Sequence, residues 1–209
     1  MINGMIVFGK DNISVSEVLQ VINGGPPANA DPEMSRRGIL EHKSISSNVK
    51  QGILPPVLVR AGLTQPVQPE KTLKTTIANG LTLSARADMV APTMTVDAKP
   101  GVIKGRHLLQ VGLTCVARNE PCDGTVYLYH HGQAYVMMGG AGDATPELKK
   151  IAVNSRQILD IQTTLSNRSS IKGAAREALG RQSVSLRTDI DKNLGVALTK
   201  MKTRLVVFG

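Results

Sequence analysis

His107–Ala117, HLLQVGLTCVA, is a long alternating run. Leu109, Val111, Leu113, Cys115 and Ala117 occupy every second position, the period of a half-buried strand. Arg118–Gly124, RNEPCDG, follows as a turn-rich loop. Thr125–His131, TVYLYHH, alternates again, with Val126 and Leu128 on one side. The expected unit is a β-hairpin whose loop is exposed and whose Leu109, Val111, Leu113, Val126 and Leu128 face the core.

Working outward, Leu81–Ala85 also alternates, and Met5–Gly9 (MIVFG) reads as a short apolar strand. Ser14-Val-Ser-Glu17 has the spacing of a helix capping box, followed by Val18, Leu19, Val21 and Ile22. Gly24-Gly25-Pro26-Pro27 ends that element. Seven of the 11 prolines fall between residues 23 and 72, which predicts a linker or an extended arm. The apolar pieces Ile53-Leu54 and Val57–Val59 favour an arm laid over a neighbour.

Towards the other end, Gly139–Gly142 breaks the strand pattern, and Thr145-Pro146-Glu147 supplies a helix start. Ile151–Leu165 suits either helix or strand. Ser169–Arg181 carries Ile171, Ala174, Ala175, Ala178 and Leu179 on one helical face, with Gly180 as its end. Ser183–Leu186 and Leu205–Phe208 read as closing strands. Leu205–Gly209 (LVVFG) echoes the word at residues 5–9. The expected organisation is an N-terminal strand and helix over 1–22, a proline-rich arm or linker over 23–72, and a core over 73–209.

Charge is lopsided. Residues 1–100 hold 10 Lys and Arg against 8 Asp and Glu, whereas residues 101–209 hold 15 against 8. A surface built from that second half attracts polyanions. There is no Trp, with only two Phe and three Tyr, so bases have few rings to stack on. Affinity must then come from Lys and Arg on phosphates, salt-sensitive and weakly sequence-specific. Two cysteines suit a reducing compartment. No basic-then-apolar leader opens the chain, and no apolar run reaches the roughly 20 residues of a membrane span. The expectation is a soluble protein that is not secreted.

Arg168, Lys172 and Arg176 are spaced by four and form one ridge if helical. Lys149, Lys150, Arg156, Arg181, Arg187, Lys200, Lys202 and Arg204 extend it into a phosphate-tracking surface. His107, His130 and His131 make no metal set, since consecutive strand residues face opposite ways. Neither cysteine has zinc-type spacing to them. Cys115 reads as a small hydrophobe, and Cys122 beside Asp123 has no activated-thiol setting. Gly139–Asp143 lacks the Gly-Lys-Ser/Thr ending of a phosphate loop. No catalytic set, metal or cofactor is expected.

Lys104-Gly105-Arg106, Leu109–Leu113 and Gly124–Leu128 together resemble a hairpin of jelly-roll coat proteins of plant viruses and of the related cell-to-cell movement proteins. The resemblance implies a basic lead-in, a strand with a mid-strand glycine, a loop and a glycine-led strand. The expected fold is therefore α+β and β-rich, a jelly-roll-like or other antiparallel sheet core with a basic helix in the C-terminal third. The expected function is non-enzymatic self-assembly, as a viral coat or matrix subunit contacting single-stranded RNA without sequence preference. The alternative is a movement protein coating such RNA. Either belongs in a virion or the host cytoplasm, as a homo-oligomer or particle.

Overall fold

The computed structural model describes residues 11–25, 32–167, 171 and 173–209. Strand β1 (Asn12–Ser14) runs into helix α1 (Val15–Ile22) through the expected capping box. Ser14 Oγ accepts from the Glu17 amide, and the Glu17 carboxylate accepts from the Ser14 amide at 2.7 Å. Helices α2 (Pro32–Lys50) and α3 (Pro56–Arg60) follow, then β2 (Gln68–Thr76), β3 (Thr82–Val90) and β4 (Met94–Lys99). Next come α4 (Gly105–Arg118), β5 (Asp123–Leu128) and β6 (Gln133–Met137). A helical hairpin, α5 (Thr145–Asn167) and α6 (Ala174–Lys202), leads to β7 (Leu205–Phe208).

The strands form one mixed seven-stranded sheet. β2 and β3 are antiparallel, and β4 runs parallel to β5 with α4 as the crossover. β5, β6 and β7 pair antiparallel in sequence, and β1 joins β3 in parallel. Val126 and Leu128 point to one face, beneath α1, α4, α5 and α6. Tyr127 points to the other, where Val49 of α2 and Val57 and Leu58 of α3 pack on Met94, Val96 and Val136. Two apolar layers thus enclose the sheet, which is the architecture a sheet with parallel crossovers requires.

Several expectations change. The fold is α+β, but helix is the larger share, and the sheet is mixed and single rather than two antiparallel sheets facing each other. The run His107–Ala117 is helical. Leu108 and Val116 are buried along with Leu109, Val111, Leu113, Cys115 and Ala117. A helix covered on nearly every side has no polar face, so hydrophobic period cannot separate it from a strand. Residues 32–50 and 56–60, inside the expected arm, are helices that complete the second core. Ser183–Leu186 lies inside α6, which passes Gly180 without ending. Thr145-Pro146-Glu147 does start a helix, and Leu205–Phe208 is a strand. The expected strand at residues 5–9 lies outside the described residues.

The feature that positions a site is a gap in the sheet. β3 and β4 turn through Pro92-Thr93 but pair only at Val90↔Thr95 and Met89↔Val96. Beyond that point they part. The Asp88 carboxylate bridges the opening by accepting from the Ala98 amide at 2.7 Å. Opposite Asp88 on β2, Glu70 adopts φ 54° and interrupts the register between Pro69↔Met89 and Lys71↔Ala87. At the hinge, the buried Arg118 guanidinium donates to the carbonyls of Ala91 (2.8 Å), Met94 (3.2 Å) and Pro92.

Candidate functional site

Asp97 and Lys99 are alternate residues of β4 and so project to the same face. They border the gap with Glu70 of β2, Asp88 and Arg86 of β3, His42 and Lys43 of α2, and Gln110 of α4. The cavity they share has a volume of about 580 Å³. Gln110 Nε2 donates to Asp97 Oδ1 at 3.0 Å, and Lys99 Nζ donates to the same oxygen at 3.0 Å. Nζ also lies 2.9 Å from the buried Oδ2 of Asp97, so the ammonium pairs with both carboxylate oxygens.

Asp88 and Asp97 have opposite electrostatics. Burial pushes Asp97 up to about 6, with the Asp88 charge adding to it and Lys99 opposing. Burial also acts to raise Asp88, but the hydrogen bonds from His42 and the Ala98 amide, with the His42 and Lys99 charges, leave it below its ordinary value. His42 Nδ1 lies 3.4 Å from Asp88 Oδ1. That contact holds His42 above its ordinary value against the effect of burial. The Tyr129 ring meets His42 edge-on at 6.1 Å and fixes its attitude. Such a pairing of one raised and one lowered acid in a cleft is a mark of functional sites.

The donors suit a hard divalent cation. Asp88 and Asp97 offer carboxylate oxygens, while Glu70 in the same cavity pairs with Arg86 at 3.0 Å. Among the described residues no three His, Cys, Asp or Glu side chains converge as a ready cage. Mg²⁺ is commonly held by one or two carboxylates plus substrate phosphates, whereas zinc takes three or four N or S ligands. The set fits the former.

The residues expected from sequence to bind RNA are scattered. Arg168 and Lys172 lie outside the described residues. Arg176, Arg181, Lys150 and Lys202 are exposed, with Arg181 3.7 Å from Glu177. Arg187 donates to the Val21 carbonyl, and Lys200 bonds Glu147 at 2.9 Å. Arg204 faces Asp143 at 3.6 Å. Lys149 borders a cavity beside Cys115 and Cys122. Arg156 is a correction: it is buried and bonded to Asp160, because α5 is covered along that face. His107 and His130 do not meet; His130 pairs with Glu41 at 2.9 Å.

Sequence reasoning missed His42, Asp88, Asp97, Lys99 and Gln110. A signal was present in Met94–Lys99, MTVDAK, a short apolar strand ending in Asp-x-Lys. Comparison of the chain with protein-family models, curated proteins and solved structures finds no match. Among the described residues no helix is long and apolar enough to cross a membrane.

Proposed function

We propose that the chain is a divalent-cation-dependent phosphodiesterase that cuts nucleic acid. The observation that carries this reading is the placement of Asp97 and Lys99 side by side on β4, facing Asp88 across the gap, with the buried Asp97 carboxylate held by Lys99 and Gln110. A polyanionic substrate agrees with the net charge of +9. Hydrolysis adds one water across one P–O bond, giving a phosphomonoester and an alcohol, with the water's proton ending on the leaving oxygen.

Each residue has a part. Asp88 and Asp97 would hold the cation, which would supply Lewis-acid polarisation of a phosphoryl oxygen. Gln110 and Lys99 orient Asp97, and His42 orients Asp88. The Lys99 ammonium would face the negative charge that grows on the phosphoryl oxygens. Part of the sequence expectation carries over, namely a nucleic-acid partner held largely by phosphate contacts. The residues behind the coat-protein resemblance form helix α4 and strand β5 instead of a hairpin.

The test is incubation of the protein with labelled single- and double-stranded DNA and RNA, in Mg²⁺ or Mn²⁺ and in a chelator. Cleavage should require the cation, vanish in Asp97→Asn, and fall by about 10²–10⁴-fold in Lys99→Ala. Intact substrates under every condition overturn the reading. A second reading keeps the coat, matrix or movement role, with RNA gripped by the exposed Arg176, Arg181, Lys150 and Lys202. Uncut RNA gathered into large particles favours it.

A further inference from the structure

Lys99 and Gln110 have a second side. Beyond them lies another cavity, of about 370 Å³, bordered by Gln20 and Asn23 of α1 and by Arg106 and His107 in the first turn of α4. Among the described residues no carboxylate lines it. The first turn of α4 contains no acid either, so the positive end of that helix is uncompensated there.

His107 sharpens the chemistry. It is 7% exposed, and its Nδ1 accepts from the Lys104 backbone amide at 3.2 Å. A backbone N–H can only donate, so Nδ1 carries no proton and the neutral ring holds its hydrogen on Nε2. Burial, with the charges of Lys99, Arg106 and Lys104, pushes the ring's pKa down to about 4, which keeps it neutral near pH 7. The wall therefore offers an N–H from His107, side-chain amides from Gln20 and Asn23, and the cations Arg106 and Lys99. An ionised phosphate, which mainly accepts hydrogen bonds, is the complementary guest.

We propose that this cavity holds a phosphate group of the same strand whose neighbouring phosphodiester is cut, with Lys99 and Gln110 as the shared wall between the two. This inference rests on the phosphodiesterase reading. It makes Arg106 a specificity residue, setting how the strand is registered against Asp97. The phosphate could belong to a strand end or to the chain interior, and the chemistry recognised is the same.

The experiment separates the two readings by measuring binding apart from cleavage. In a chelator, fluorescence anisotropy follows short single-stranded DNA bearing a 5′-phosphate, a 3′-phosphate or neither. Arg106→Ala should weaken binding about tenfold and reduce the log–log salt slope by about 0.7, the value of one lost phosphate contact on a single strand. A Gln20→Ala, Asn23→Ala double variant should weaken it less, with the slope unchanged. Weakening confined to one phosphorylated end supports end recognition, and equal weakening of all three supports an internal phosphate. Unchanged binding of every oligonucleotide by folded Arg106→Ala overturns the proposal. If Mg²⁺-dependent cleavage persists in that case, only this inference falls. If Arg106 governs binding but nothing is cut, the phosphate cavity stands and the phosphodiesterase reading falls.

Discussion

Asp97→Asn should yield a protein that is more stable and inactive. The Asp97 carboxyl is held at about 6 against an ordinary 3.8, chiefly by burial. That difference corresponds to about 3 kcal/mol of folding free energy that the ionised group costs. The folded state binds this proton more tightly than the unfolded chain does. The cost is therefore complete above about pH 6, shrinks as pH falls towards the unfolded value, and is gone below it. Asn is neutral, keeps an oxygen for Gln110 Nε2, and removes the cost. Lys99 loses its anionic partner in the exchange, so about 3 kcal/mol is a ceiling. Urea unfolding in a chelator, near pH 7.5 and again near pH 4.5, measures it: the variant should gain up to about 3 kcal/mol at the higher pH and only about 1 kcal/mol at the lower. Mg²⁺ should stabilise the wild type and leave the variant unmoved. A variant less stable than wild type near neutral pH, or equally stabilised at both pH values, would refute the electrostatic argument. Retained cleavage would refute the catalytic one.

His42→Phe tests the neighbouring pair. His42 titrates above its ordinary value because of Asp88, so its contribution is full below about pH 6.5 and lost as pH rises through the folded value; the variant's stability should lack that decline in denaturant melts across the window. Asp160→Ala strands the buried Arg156 guanidinium and should cost about 3–5 kcal/mol by urea midpoint, whereas a cost under about 1 kcal/mol would mean that Arg156 escapes to solvent. Val111→Asp puts an unpaired carboxylate against Gly124 and the sheet, and should abolish cooperative unfolding by circular dichroism; a cooperative melt would place α4 wrongly.

Local chemistry was legible where it is self-contained. The Ser14–Glu17 box needs only neighbours in sequence, as does the Thr145-Pro146 helix start. What surrounds α4 is not local. Its companions α1, α5 and α6 bury its flanks, and that erased the polar stripe by which a helix is read. Helices α2 and α3 were hidden differently, by prolines: Pro32 and Pro56 each begin a helix rather than prevent one. The candidate site was hidden for another reason. His42, Asp88, Asp97 and Gln110 come from four elements, and their meeting depends on where β3 leaves β4. In sequence, Asp97 and Lys99 look like any opposite pair at the end of a strand. Basic composition carried information about a polyanionic partner, but not about which lysine faces a cavity.

Arg118 gives the gap a hinge pin. Its guanidinium ties the turn between β3 and β4 to the far end of α4, while Gln110, two turns earlier on that helix, holds Asp97. Helix α4 thus touches the gap at two points, the turn where β3 leaves β4 and the Asp97 carboxylate, and bridges the span between them. Changing Arg118 would alter that span without touching either carboxylate proposed to hold a cation. Discrimination between a small ion and a larger one could then be retuned from outside the cavity, at a residue that neither holds the ion nor meets the substrate.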